Sequence, residues 1–180
     1  MFKRRLNPVI FLDKRKFKVQ EEKNKTIYLS KEIKIKDFKK IIISWNIVTP
    51  VDSYVDIEAR VLVNNNLKEK IWSKWLSWGR WGTNIKRASN SSNCTEAKIN
   101  VDTLTINEGY IGEAIQIKIS SYYDDKESKA DLQLVVITYC GEKINNKNGK
   151  EKLINKLIET PCISQMKREA EIANRICSPT

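Results

Sequence analysis

Tryptophans recur at every third position in one short segment of the chain, I-W-S-K-W-L-S-W-G-R-W-G. Exposed indole rings can stack on sugars or on peptide side chains, and they attract cations such as the neighbouring Arg80. We therefore predict a binding platform for a peptide, a glycan or another cell-surface ligand, formed by Trp75, Trp78, Arg80 and Trp81. The alternative is that these indoles lie in the core of the domain, because tryptophan is usually well buried.

A cysteine and a glutamine form a second pattern near the end of the sequence. Cys177 is followed by Ser178 and Pro179, two residue types that favour the start of a helix. A cysteine at a helix N-terminus has a lowered thiol pKa and lies beside backbone N–H groups that can stabilise an oxyanion. The side-chain amide of Gln165 is able to supply a second donor. The alternative is an inert thiol, the usual state of a single cysteine.

Histidine is absent from all 180 residues. A Ser-His or Cys-His nucleophile pair therefore cannot form inside this chain, and His-containing zinc sites are excluded as well. The four cysteines show no C-x-x-C spacing, so neither a zinc ribbon nor a thioredoxin-like motif is indicated. The sequence predicts no metal and no cofactor, and catalysis by a Ser or Cys nucleophile would need a base from outside this chain.

The net charge of +11 is concentrated at the amino end. Residues 1–40 hold 14 Lys and Arg against 5 Asp and Glu, whereas residues 41–140 hold 11 against 12. Because the middle of the chain is near neutral, the charge pattern disfavours a nucleic-acid partner. No apolar stretch has the length of a membrane span and no signal peptide is recognisable, so we expect a cytoplasmic protein, with an extracellular location left open.

The candidate residues must be positioned by the secondary structure, and most of the chain consists of short segments in which apolar and polar residues alternate. Strands are predicted at Val9 to Leu12, Thr26 to Leu29, Phe38 to Ile47, Ser53 to Val63, Ile71 to Trp78, Ala97 to Ile106, Ala114 to Tyr123 and Asp131 to Cys140. Such a series, with no long amphipathic helix among the strands, predicts an all-β fold, an antiparallel β-sandwich or jelly-roll. Serine and glycine in the tryptophan segment favour a bent strand or hairpin over a helix.

Composition divides the chain into four parts. Residues 1–25 form a basic N-terminal segment, and residues 26–140 form the predicted sandwich. Residues 141–152 are rich in Asn and Lys, which is typical of a linker, and residues 153–180 are predicted to form a short, partly helical stub. Because no helix follows the start signals at Cys177, we expect the chain to be a truncated or split product.

The segment P-C-I-S-Q-M…I-C-S-P-T resembles the start of the C39-like, papain-fold cysteine peptidases of bacteria. The preceding segments W-S-K-W-L-S-W-G-R-W-G, K-I-N-V-D-T-L and A-I-Q-I-K-I-S…L-Q-L-V-V-I-T-Y resemble the β-rich domain found ahead of that peptidase in some bacterial proteins. The resemblance spans most of residues 38–180.

This resemblance implies roles for the two residues near the carboxyl end. Cys177 would match the nucleophile and Gln165 the oxyanion-hole residue of a peptidase that acts on peptides or proteins. The family's base is a histidine downstream of the nucleophile, and this chain has no histidine. We therefore expect an accessory domain for binding or scaffolding, joined to the start of a peptidase domain that is inactive as given. The alternative is a carbohydrate- or peptide-binding β-sandwich module that uses a tryptophan-rich face.

Overall fold

A computed structural model of the chain describes residues 9–65, 67, 69–85 and 90–141. These residues form β-strands joined by turns and two single turns of 3-10 helix, Lys14–Lys16 and Lys126–Ser128. The strands are β1 (Val9–Asp13), β2 (Phe17–Glu22), β3 (Lys25–Ser30), β4 (Ile33–Val48), β5 (Ser53–Asn65), β6 (Lys70–Trp72), β7 (Leu76–Trp81), β8 (Ser92–Asn93), β9 (Ala97–Asn100), β10 (Thr103–Ile106), β11 (Tyr110–Tyr123) and β12 (Asp131–Gly141). The predicted antiparallel all-β fold is confirmed. The predicted helical stub lies outside the described residues.

Alternation along β5 shows why these sequences form strands with one buried face. Val55, Ile57, Ala59 and Val61 are at most 1 % exposed, and each residue between them is only half-buried. Successive side chains of a strand point to opposite faces, so the apolar set faces the core and the polar set faces outward. The outward set of β5 therefore lies on a surface that no other described layer covers completely.

The strands form two layers that share strand β4. In the first layer β11 lies between β5 on one side and β3 with the start of β4 on the other. Strand β2 extends this layer beyond β3, and β6 and β7 extend it beyond β5. In the second layer the rest of β4 lies between β12 and β10, with β1 beyond β12 and with β9 and β8 beyond β10.

A close contact fixes the point where β4 passes from one layer to the other. Asp37 has φ 53°, a left-handed conformation that Asp tolerates better than most residues. The next residue, Phe38, is fully buried and lies directly opposite Gly112 of β11. A β-carbon at Gly112 would overlap the Phe38 ring, so a residue without a side chain is required there.

Two buried serines complete the hydrogen bonding where strands are interrupted. The hydroxyl of Ser73 accepts the backbone N–H of Val61 at 3.0 Å, between β6 and β7. The hydroxyl of Ser30 accepts the backbone N–H of Ile117 at 2.9 Å, at the end of β3. Each serine replaces a backbone acceptor, and a buried N–H without an acceptor would cost about 1–3 kcal/mol.

The structure differs from the sequence prediction in several places. Strand β2 lies within residues 1–25, where its mostly exposed, charged sequence offers only Phe17 and Val19 as alternating apolar residues. The predicted strand Ile71 to Trp78 is interrupted at residues 73–75, and both parts pair with β5. The predicted strand Ala97 to Ile106 is a hairpin that turns at Val101 and Asp102, where Val101 has φ 60°. A β-branched residue rarely adopts this conformation, so the sequence gave no turn signal.

Candidate binding face

The tryptophan segment divides between the two faces of the first layer. Trp72 lies opposite the outward residue Leu62, whereas Trp81 lies opposite the buried Val55. The register shifts within β7, where Gly79 has φ 92° and Trp78 is the extra residue of a β-bulge. The bulge and the interruption at residues 73–75 therefore place Trp72 and Trp75 on the outer side of the layer and Trp78 and Trp81 on its inner side.

Trp78 is buried on the inner side. Its side chain is 6 % exposed, and its Nε1–H donates to the backbone oxygen of Asp102 at 2.9 Å. The indole thus joins the first layer to the β9–β10 turn, next to the strained Val101. Its ring offers no open surface to a ligand.

Trp81 is half-buried on the same side as Trp78. It meets the ring of Trp45 of β4 edge to face, with centroids 6.3 Å apart and an angle of 80° between the ring planes. Aromatic rings favour this geometry, because the positive edge of one ring approaches the negative face of the other. The structure therefore does not bring Trp78 and Trp81 together with Trp75 and Arg80, the other two predicted ligand-binding residues.

An array of rings and cations covers the outer side of β5, β11 and their neighbours. We call it the aromatic-cation face; it comprises Lys25, Tyr54, Arg60, Trp72, Trp75, Arg80, Lys118 and Tyr122.

Arg60 lies at one end of this face, between two tryptophan rings. Its guanidinium carbon lies 4.8 Å from the ring centroid of Trp72 and 4.9 Å from that of Trp75. Its Nε donates to Oε1 of Gln116 at 2.9 Å, and Nε2 of Gln116 donates to the backbone oxygen of Ser30 at 2.9 Å. Two indoles and an anchored amide therefore fix the orientation of a side chain that is otherwise flexible.

Trp75 extends across β5 to reach the next strand. The Nζ of Lys118 in β11 lies 4.6 Å from the ring centroid of Trp75 and 2.7 Å from Oε2 of Glu58. Because β11 and the β6–β7 segment flank β5 on opposite sides, the indole and the ammonium group meet above β5. Trp75 thus connects Arg60 and Lys118, and it is half-buried.

Tyrosines form the other end of the face. The rings of Tyr54 and Tyr122 are stacked with centroids 4.9 Å apart, and Lys25 Nζ lies 5.1 Å from the Tyr122 centroid. Arg80 lies 4.1 Å from the Tyr54 centroid and donates to Asp56 at 3.1 Å. The hydrogen bond that Arg80 donates to Asp56 raises the pKa of Arg80 above its ordinary value, so this guanidinium stays charged.

The cations occupy successive rows of the sheet. A row is here a set of residues that lie directly opposite one another on neighbouring strands. Arg60 is in one row, Lys118 lies opposite Glu58 in the next, and Arg80 lies opposite Asp56 in the third. Lys25 shares the fourth row with Tyr122 and Tyr54. Neighbouring rows on one face are about 7 Å apart, two residues along a strand.

The other two predicted site residues, Cys177 and Gln165, lie outside the described residues. Cys94 is a half-buried free thiol whose pKa is raised by burial, so its environment does not favour a nucleophile. In the part of the chain that the structure describes, no group of three Cys, Asp or Glu side chains could hold a metal ion. None of the helical segments within that part is long and apolar enough to cross a membrane.

Sequence reasoning missed most of the aromatic-cation face. Tyr54 and Arg60 could have been recognised as outward residues, because each alternates with the buried residues of β5. No sequence signal indicates that Lys118 and Trp75 meet, since this depends on which strands flank β5.

The family described as Peptidase C39 N-terminal domain matches residues 17–138. The matched region begins at the start of β2 and ends within β12, so it includes every residue of the aromatic-cation face. No curated protein and no solved structure matches the chain significantly.

Proposed function

Because the chain belongs to the Peptidase C39 N-terminal domain family, we propose that it is the accessory domain of a C39-like cysteine peptidase. In this role the β-domain binds or positions peptide or protein substrates for a catalytic domain. The observation that carries the proposal is the family match over residues 17–138, which coincides with the described β-domain.

The proposal includes inactivity of the 180-residue chain itself. A cysteine peptidase needs a base that removes the thiol proton and later protonates the leaving amine, and in papain-like sites this base is a histidine. The chain has no histidine. In a longer protein, Cys177 would attack the peptide carbonyl after a downstream histidine takes its proton. Gln165 and the backbone N–H of Cys177 would stabilise the oxyanion.

A hydrolysis assay tests the inactivity. We expect the purified 180-residue chain to release no fluorophore from fluorogenic peptides under reducing conditions. The matched control is C177A, which should give the same background rate as the unmodified chain. Hydrolysis by the chain that disappears in C177A would contradict the proposal.

The DNA downstream of codon 180 tests the link to a peptidase. We expect it to encode, in frame or after a frameshift, a helix and then a segment with a histidine. If it does, the joined protein can be assayed with and without residues 1–140. Deletion should raise KM for a protein substrate and leave kcat for a short peptide nearly unchanged. Equal KM values would contradict the accessory binding role.

A further inference from the structure

We propose that the aromatic-cation face binds an extended, acidic peptide segment, with Arg60 as the principal anchor for a carboxylate. This inference rests on the proposed function, because it specifies the class of substrate segment that the accessory domain holds. It commits to a position on the domain, to the charge of the ligand and to the spacing of its acidic residues.

The charge on the outer face is unbalanced. Its four rows hold five cations, the four of the aromatic-cation face and Lys18 of β2 in the row of Lys118, against three carboxylates, those of Asp56, Glu58 and, opposite Lys25 on β2, Glu22. Glu58 and Asp56 already form ion pairs, with Lys118 and with Arg80. No described carboxylate lies within ion-pair distance of Arg60, whose Nε donates instead to the neutral amide of Gln116. An acceptor from a ligand would therefore complete the face.

Arg60 is preorganised for a ligand. Its guanidinium is fixed by Trp72, Trp75 and Gln116, while Nη1 and Nη2 donate no hydrogen bond to any other described residue. A guanidinium can donate two parallel hydrogen bonds to one carboxylate, and such bonds are stronger than those between neutral groups. Because the side chain is already ordered, a ligand does not bear the entropic cost of ordering it.

The spacing of the rows matches the geometry of an extended peptide. The rows of Arg60, Lys118, Arg80 and Lys25 follow one another at about 7 Å. An extended peptide presents every second side chain on the same side, with the same repeat of about 7 Å. A segment with acidic residues at alternate positions can therefore place one carboxylate near each row, and the rings between the cations pack against its intervening atoms.

A neutral sugar is a poorer match to the same surface. Sugar hydroxyls need acceptors as well as donors, yet the carboxylates of Glu58 and Asp56 and the amide of Gln116 are already engaged within the protein. The ring of Trp75 has two cations within 5 Å of its centroid, which reduces the open surface for stacking. The observations thus favour an anionic ligand, and the proposed function favours a peptide over an acidic polysaccharide.

A fluorescence anisotropy titration of the 180-residue chain tests the proposal. The probe is a fluorescein-labelled heptapeptide in which four Glu alternate with three Thr. We expect saturable binding that weakens as salt is raised. A peptide of the same composition with its four Glu contiguous should bind several-fold more weakly, because half of its carboxylates point away from the face. A peptide with Gln in place of Glu should not bind.

The variant R60Q should weaken binding of the alternating peptide about tenfold or more, because it removes a charge-assisted bidentate contact. The matched control is K98Q, which removes one positive charge from an exposed residue of β9 on the other layer and should change affinity less than twofold. R80Q is a second test in a different row and should also weaken binding. Thermal unfolding of each variant verifies that it is folded.

Three results would overturn the proposal: equal affinities of R60Q and K98Q, equal affinities for the alternating and contiguous peptides, or binding of polygalacturonate without binding of the peptide. These results are independent of the domain-deletion assay. If the peptide fails to bind while deletion still raises KM, the accessory role stands and the acidic-peptide specificity fails. If the peptide binds and deletion has no effect, the binding face stands without the accessory role.

Discussion

Replacement of Trp78 by Phe tests whether this indole stabilises the fold or binds a ligand. The indole is 6 % exposed, and its N–H donates to the backbone oxygen of Asp102. W78F removes this bond at a cost of about 1 kcal/mol, because Asp102 is exposed and water can replace the donor. The smaller ring also leaves a cavity that costs about 1–2 kcal/mol more. The free energy of unfolding should therefore fall by about 2–3 kcal/mol.

Thermal unfolding followed by far-ultraviolet circular dichroism measures this loss. A decrease of 2–3 kcal/mol corresponds to a fall in Tm of about 4–12 °C for a domain of this size. W75F is the matched control, because its ring is half-buried on the outer face, and its Tm should fall by less than that of W78F. Affinity for the alternating acidic peptide should be unchanged in W78F. An unchanged Tm together with weakened peptide binding would refute the structural role of Trp78.

Three other changes should alter stability in defined directions. V101G should raise Tm by a few degrees. It removes about 1–3 kcal/mol of backbone strain, because a β-branched residue is unfavourable in the left-handed conformation of Val101. The greater conformational entropy of glycine in the unfolded chain offsets about 0.5–1 kcal/mol of this gain. G112A should lower the free energy of unfolding in urea by about 1–3 kcal/mol through overlap with the Phe38 ring, and F38L in the same chain should recover part of it. The hydrogen bond from Lys70 holds the pKa of Glu113 below its ordinary value. The Lys70–Glu113 pair therefore stabilises the folded protein at pH values above the pKa that Glu113 has in the unfolded chain. This stabilisation is lost as pH falls through the lower pKa that Glu113 has in the folded protein. The Tm difference between the unmodified protein and E113Q should accordingly shrink from pH 7 to pH 3; a difference that grows would contradict this sign.

The strand content of the domain could be predicted because burial acts locally along each strand. The alternation of Val55, Ile57 and Ala59 with polar residues is visible in the sequence and corresponds to β5. Strand β2 could not be predicted, because only Phe17 of its six residues is buried and the rest are exposed. A strand that is held by backbone hydrogen bonds at an edge leaves almost no apolar pattern.

The candidate site was only partly predictable, for a related reason. Sequence spacing identified Trp75 and Arg80, which lie on the aromatic-cation face, but it also grouped with them Trp78 and Trp81, which lie on the inner side. A uniform spacing of three gives no warning of the bulge at Gly79. The assignments of Cys177 and Gln165 stay predictions, since both lie outside the described residues.

The sequence by itself determined the antiparallel β character of the domain and the absence of an internal histidine base. Both follow from residue types and from a period of two, which are properties of single segments. Only the tertiary structure decided that Arg60, Trp75 and Lys118 form one surface. Their contact depends on which strands flank β5 and in which register, and these are set by packing between segments that are far apart in the chain.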